Sequence, residues 1–245
     1  MKAVLLGATR GMGRALGRLL AARGDRLFLL GRSAEELDRS AHDLEIHGTP
    51  APIGTARCDL LEPAGFASAL DEAQRALDGF DTVIVTAGLF ATQQELEADP
   101  QLTARLLLAD FTNTVLFCEE ARRRLLARGG GTLCVFSSVA GERGRKPVIL
   151  YGAAKAGLSH YLEALDHKFR AAGLRTVCVK PGFVKTGMTA GLKSPPFAGT
   201  AHDVARRVLR AIDRGWPEVY APRPWRWVMW LIRRLPRLVM RRIDF

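Results

Sequence analysis

Short apolar runs alternate along this chain with longer stretches of helical periodicity. Val4-Leu5-Leu6 and residues 26–30, 82–85, 132–136 and 176–179 are almost unbroken in Leu, Val, Ile, Phe and Cys. Runs of that length and composition predict strands, those at 82–85 and 132–136 of the kind buried on both faces. A weaker strand is expected over 51–57 and a last short one over 218–221. Helical spacing fills 13–22, 101–127, 150–172 and 201–214. Another helix is expected to start at Ser33, whose hydroxyl suits a cap, with Glu36 three residues on. The Gly- and Pro-containing stretch 187–200 is the long irregular loop, a candidate lid over a substrate. Strand followed by helix from start to finish implies parallel strands with right-handed crossovers. The expected fold is α/β, a doubly wound Rossmann fold with a parallel seven-stranded sheet.

Composition narrows the class. A chain of 245 residues fits one domain, or one domain with an appendage. Its balance of apolar and charged residues is that of a globular protein, which removes disordered and fibrous classes. Cys58, Cys118, Cys134 and Cys178 are scattered, with no CxxC pair and no histidine at zinc-ligand spacing. They read as buried thiols in a reducing compartment, and no metal is expected. His42, His47, His160, His167 and His202 read as structural or exposed. Only Ala3-Val4-Leu5-Leu6 precedes Gly7, too short for a signal-peptide core, and no apolar run approaches a membrane span. A cytoplasmic location is expected. The net charge of +11 looks like a nucleic-acid signature, yet residues 223–245 hold seven arginines against one acid, Asp244. More than half of the excess therefore sits in the tail, and no nucleic-acid partner is expected.

The turn after the first strand reads Gly7-Ala8-Thr9-Arg10-Gly11-Met12-Gly13. Glycines there let a backbone approach a pyrophosphate, and the helix that follows offers its positive end. Gly7, Thr9, Arg10, Gly11, Met12 and Gly13 are thus candidate cofactor contacts. An acid at the end of the second strand is the usual partner of an NAD ribose hydroxyl. Here Gly31-Arg32 stand at that place, with no acid before Glu35. Arg32 and Arg10 together suit a 2′-phosphate, so NADP(H) is favoured over NAD(H); the alternative is two solvated surface arginines. Asp59 has two readings, an acceptor for the adenine amino group or a residue that starts a helix.

Tyr151 and Lys155 lie four apart, which stacks them on one face of a helix. The ammonium can there draw the phenol down from about 10. A phenol tuned toward neutrality is a general acid able to protonate a carbonyl oxygen. With Ser138 after a buried strand, the pattern resembles the short-chain dehydrogenase/reductase family over residues 1 to about 222. The matching positions are Gly7-x3-Gly11-x-Gly13, Asp59-Leu60, Thr86-Ala87-Gly88, Ser137-Ser138, Tyr151-x3-Lys155 and Pro181-Gly182. The resemblance implies that Ser138 orients the substrate carbonyl and Tyr151 gives the proton. It implies that Lys155 lowers the tyrosine and holds the nicotinamide ribose, and that Val184 and Thr186 meet the carboxamide. Leu60, Ala87, Gly88, Pro181 and Gly182 join the expected cofactor contacts on the same ground. Two positions depart from the family. Thr86 stands for its asparagine, a packing position, and Asp110 stands where an asparagine completes the catalytic group. A carboxylate could hold the same relay water, but its charge would raise the lysine. Asn113, nearly one turn on, is a possible substitute.

Residues 223–245 form a basic amphipathic tail beyond the domain of 1–222. Trp225, Trp227 and Trp230 interleave with Val228, Met229, Leu231 and Ile232 and then with arginines. That composition suits a membrane interface, so peripheral contact at the inner face of a membrane is favoured over a subunit contact. On this reading the tail can be cut after Pro222 without unfolding the chain. Residues 137–145, 193–196, 219–222 and the ending resemble family members that reduce a lipid-linked keto sugar. The expected activity is NADP(H)-dependent reduction of a small-molecule or lipid-linked ketone such as a polyprenylphosphoryl 2-keto sugar. Two rivals stand: a reductase of a long-chain keto-lipid, and a non-catalytic NADP-binding sensor or scaffold. The resemblance also implies a homodimer or homotetramer built through 101–127 and 150–172.

Overall fold

The computed structural model describes residues 1–48, 52–191 and 194–244. Ala51, Lys193 and Phe245, which the sequence assigns to the third strand, the irregular loop and the tail, lie outside the described residues. The chain runs β1 (Lys2–Leu6), α1 (Gly11–Ala22), β2 (Arg26–Gly31), α2 (Ala34–Ile46), β3 (Gly54–Arg57), α3 (Phe66–Leu77) and β4 (Thr82–Val85). It continues through α4 (Gln93–Ala98), α5 (Pro100–Leu107), α6 (Asn113–Ala127), β5 (Gly131–Phe136), α7 (Ile149–Phe169), β6 (Leu174–Pro181), β7 (Val184–Lys185) and β8 (Gly199–Thr200). α8 (Ala201–Arg214), β9 (Glu218–Ala221), α9 (Trp225–Arg234) and α10 (Arg237–Met240) complete it.

Seven strands form one sheet in the order β3-β2-β1-β4-β5-β6-β9, all parallel, with Val4 opposite both Phe28 and Val83. Because side chains alternate along a strand, Val4 and Leu6 face one layer while Ala3 and Leu5 face the other. The first layer packs α3, α6 and α7 through Phe66, Leu70, Phe117 and Leu158. The second packs α1, α2 and α8 through Leu16, Leu20, Leu44 and Val208. The expected doubly wound sheet is therefore present, and Ser33 accepts the Glu36 N–H as the cap of α2.

Three departures from the sequence reading bear on the site. The helix expected over 101–127 is interrupted by a π turn at Leu108–Thr112, and the Thr114 hydroxyl bonds the Ala109 carbonyl across it at 2.6 Å. The loop expected over 187–200 is stapled, because β7 and β8 pair in parallel beside a short turn at Gly187–Thr189. Finally, α9 lies on the body of the protein. Trp225, Met229 and Ile232 recur at helical spacing and are buried with Val139 and Tyr220. Truncation after Pro222 would uncover that cluster, against the expectation that the tail is dispensable. The opposite face of α9 leaves Trp227, Trp230 and Leu231 exposed.

Candidate active site

The candidate residues stand where parallel strands end at their carboxyl edge. The glycine turn follows β1, Arg32 follows β2, and Asp59 follows β3. Ala87 and Gly88 follow β4, Ser138 follows β5, and Pro181 closes β6. The strand order reverses between β1 and β4, and such a switch point opens a crevice for a ligand.

The glycine turn is shaped by close backbone contact. Gly7 has φ of 99°, and a Cβ there would lie 2.5 Å from the Ala87 nitrogen; one at Gly13 would run into the Gly7 carbonyl. Thr86 Oγ1 donates to that carbonyl at 2.9 Å, so the threonine ties the turn to β4. Thr9, Gly11 and Met12 are half-buried, and Gly11 faces Thr186. Arg10, at the N-cap of α1, makes no side-chain cap, so the first-turn N–H groups keep their donors for an anion. A side-chain-free cradle with uncapped donors fits the pyrophosphate of a dinucleotide.

At the adenosine end the two expected arginines differ. Arg32 is exposed and makes no ion pair or hydrogen bond among the described residues. Arg10 is also exposed, but it is paired with Glu36 from the first turn of α2. The expectation of two free guanidinium groups is corrected to one, because an acid from the neighbouring helix reaches the turn. Asp59 Oδ1 accepts the Leu61 N–H at 2.9 Å, which is its turn-forming role. The carbonyl of buried Leu60 accepts Asn113 Nδ2 at 2.6 Å. Asn113 therefore points to β3's end and does not replace the relay asparagine.

Ser138, Tyr151 and Lys155 are brought together. Ser138 Oγ caps the turn behind it through the Ala140 N–H at 3.0 Å, and its hydroxyl helps to hold the Tyr151 phenol down. Lys155 Nζ lies 5.6 Å from the Tyr151 ring centre, 3.4 Å from the Phe136 carbonyl and 3.2 Å from Asp110 Oδ2. Asp110 sits in the π turn, fully buried, and its Oδ1 accepts the Leu89 N–H at 2.6 Å. It thus meets the lysine directly. Burial pulls the Lys155 ammonium down, but Asp110, and Tyr151 behind it, hold it above the ordinary lysine value. Tyr151 does not descend toward neutrality. Burial pushes its phenol up, Lys155 pulls it down, Asp110 pushes it up and Ser138 pulls it down, with a net rise. Phe90 meets Tyr151 edge to face at 5.3 Å, a contact that the motifs did not reveal.

The segment after β6 is held by the tail. Gly182 donates to the Ala221 carbonyl at 3.0 Å, and the Trp225 indole fills the space a Cβ would need. Trp225 Nε1 donates to the Phe197 carbonyl at 3.1 Å. Val184 is buried, its carbonyl accepts Thr189 Oγ1 at 2.7 Å, and Thr186 lies beside Gly11. Behind Ser138, Glu142 accepts Lys180 at 2.6 Å, Tyr220 at 2.9 Å and Arg233 at 3.1 Å. Arg143 donates to the Leu235 carbonyl at 2.9 Å. Sequence motifs gave no sign of this clamp, whose partners lie far apart in the chain. Among the described residues no group of side chains could hold a metal ion, and no helix is long and apolar enough to cross a membrane.

The family model described as short chain dehydrogenase matches residues 1–196. A Streptomyces coelicolor protein named as an uncharacterized oxidoreductase in the mprA 5′ region is 33% identical over 98% of this chain and 94% of its own length. Carbonyl reductase family member 4 of Danio rerio is 30% identical over 78% of each chain. A short-chain type dehydrogenase/reductase from Mycobacterium ulcerans superposes with a TM-score of 0.80 at 19% identity, covering 89% of this chain and 86% of its own. That last likeness carries the fold.

Proposed function

The chain belongs to the short-chain dehydrogenase family, an NAD(P)-dependent oxidoreductase group, and we propose that it reduces a ketone carried on a lipid, using NADP(H). The observation that carries the reading is the contact of Ser138, Tyr151 and Lys155 beside the uncapped glycine turn. A nicotinamide dinucleotide, when bound, supplies the hydride. The residues then handle the oxygen. Ser138 Oγ donates to the ketone and orients it, and the Tyr151 hydroxyl gives up its proton to the oxygen as negative charge develops there. Lys155, kept charged by Asp110, stabilises the phenolate left behind. A phenol held above its usual value carries its proton at neutral pH, the form a general acid needs.

Arg32 supports the NADP(H) preference as the free cation near the second strand's end, with Arg10 shared with Glu36. Trp227, Trp230, Leu231 and Leu238 are exposed among arginines, which supports peripheral contact with a membrane and hence a lipid-linked substrate. Within the family, residues 137–145, 193–196, 219–222 and the ending resemble decaprenylphosphoryl-2-keto-pentose reductase; that identity rests on those stretches and has no support from the relatives above. The exposed Leu108 and Phe111 of the π turn and Leu116 of α6 support a second copy of the chain as partner on that face.

Tyr151→Phe tests the mechanism. Fluorescence titration with NADPH and NADH should show affinity within a fewfold of the parent. Turnover on a polyprenylphosphoryl 2-keto sugar should fall by about 10²-fold or more, as for loss of a positioned general acid. Equal turnover would refute the role of Tyr151. Faster turnover of a 3-keto sphingoid or acyl substrate by the parent would move the substrate to keto-lipids. No turnover of any ketone would leave a nucleotide-binding sensor.

A further inference from the structure

We propose that the cleft between α8 and β9, bordered by the start of α9, binds a phosphate-bearing anion of two or more negative charges. The inference is independent of the reductase reading. Arg207, Arg210 and Arg214 recur at i, i+3 and i+7, so α8 presents them on one face. Arg223 and Arg226 reach the same hollow from the far side, and its volume is about 580 Å³.

Several guanidinium groups elsewhere on the surface sit against an acid. Arg18 is paired with Asp43, Arg57 with Glu62, and Arg124 with Asp71 and Glu120. None of the five in the cleft has a carboxylate partner among the described residues. Glu218, the acid on the cleft wall, is taken by the Lys180 ammonium. Trp216 gives Arg207 and Arg214 an aromatic face at 5.9 and 5.5 Å, which supplies no counter-charge. Arg207 is half-buried and fixed through Nε to the Tyr220 carbonyl at 2.6 Å. Burial, and then Arg223, Arg210 and Arg226, hold its guanidinium below the ordinary value.

Like charges at helical spacing cost a helix a little stability per pair, which an anion between the groups would relieve. The planar fork of arginine matches phosphate oxygens two at a time, and several forks around one hollow suit a diphosphate or a phosphomonoester. The same chemistry has two sources, a free phosphate compound and an anionic lipid headgroup.

Isothermal titration of the full chain with inorganic pyrophosphate tests the first source. Co-sedimentation with phosphatidylcholine vesicles, with and without phosphatidic acid, tests the second. The variant is Arg210→Gln/Arg226→Gln; all five cleft arginines except Arg207 are exposed, so thermal melting should leave its fold intact. Arg75→Gln/Arg128→Gln removes the same charge outside both the cleft and the tail. In at least one arm the parent should bind, the cleft variant at least tenfold more weakly, and the control variant like the parent. Pyrophosphate binding identifies a free phosphate ligand, and binding confined to phosphatidic acid vesicles identifies a headgroup. Absence of binding in both arms overturns the proposal. So does equal binding by the cleft variant, which puts the anion at the glycine turn, or equal weakening in the control, which leaves only net charge.

Discussion

Replacing Asp110 by asparagine separates two effects of its carboxylate. The amide keeps an acceptor for the Leu89 N–H and removes the charge 3.2 Å from Lys155 Nζ. At an effective dielectric of about 20, the attraction across that distance is about 5 kcal/mol. Burying both ions offsets much of this, and removing one partner of a buried pair costs about 3–5 kcal/mol. The Phe136 carbonyl remains near the lysine, which places the loss at about 3 kcal/mol, or roughly 6–12 °C in Tm for a chain of this size. The sign is fixed by the raised lysine. Its pair stabilises the fold fully below the unfolded lysine value near 10.4 and loses that effect only as pH rises through the folded value, so the deficit is present at pH 7. The second effect is on Tyr151, which loses a charge that pushes its phenol up. In the direction of alcohol oxidation, where the phenolate is the base, the rise of rate with pH should move to lower pH. A lower Tm with an unmoved rise would refute any action of Asp110 on the phenol. An unchanged Tm would refute the buried pair itself.

Glu142→Gln should destabilise the docking of α9 by about 3 kcal/mol at pH 7, read as a change in tryptophan emission and Tm. Burial pushes the Glu142 carboxyl up, but Lys180, Tyr220 and Arg233 together hold it below its ordinary value, so its stabilisation is present above about pH 4.3 and disappears as pH falls through the folded value; the variant should lose that acid limb. Truncation after Pro222 exposes the faces that cover Trp225, Met229 and Ile232, a loss on the order of 5 kcal/mol at about 1.5–3 kcal/mol per side chain; an unchanged Tm would refute the packing role. Glu36→Gln frees Arg10 and should raise the ratio of NADPH to NADH affinity severalfold in fluorescence titration, whereas an unchanged ratio would remove Arg10 from cofactor selection.

The strands were legible because a parallel sheet covered on both faces leaves each one as an apolar run with nothing polar to blur it. Residues 82–85 were placed to the residue on that signal. The glycine turn and the Tyr151-Lys155 spacing were legible because both are local. What escaped was a matter of phase or of distance. A π turn adds one residue to a helix without disturbing its apolar stripe much, so the break at Leu108–Thr112 left no mark, and with it went the burial of Asp110 against Lys155. Glu36 reaches Arg10 across 26 residues, and Lys180 meets Glu142 and Glu218 across 38 in each direction of the chain; no motif spans such gaps. The reading of Tyr151 as a lowered phenol failed because spacing reports the lysine and is silent on burial and on a carboxylate that arrives from another helix.

The tail shows how composition can be right about a segment's chemistry and wrong about its freedom. Tryptophan and arginine together describe a helix with one face in an apolar phase and cations at its border. In α9 that apolar phase is first the protein itself, because Trp225, Met229 and Ile232 complete a cluster with Val139 and Tyr220. Trp225 occupies the space beside Gly182, Arg233 bonds Glu142, and the Leu235 carbonyl accepts from Arg143, so both ends of α9 grip the chain near Ser138 and Gly182. The exposed Trp227, Trp230 and Leu231 stand on the same short helix. Any surface that engages those three side chains therefore pulls on the segment directly behind Ser138. On the membrane-contact reading, binding to lipid and orientation of the ketone are mechanically one event, and a variant that weakens the clamp without touching the exposed face, such as Glu142→Gln, should raise KM for a lipid-presented ketone more than for the same ketone in solution.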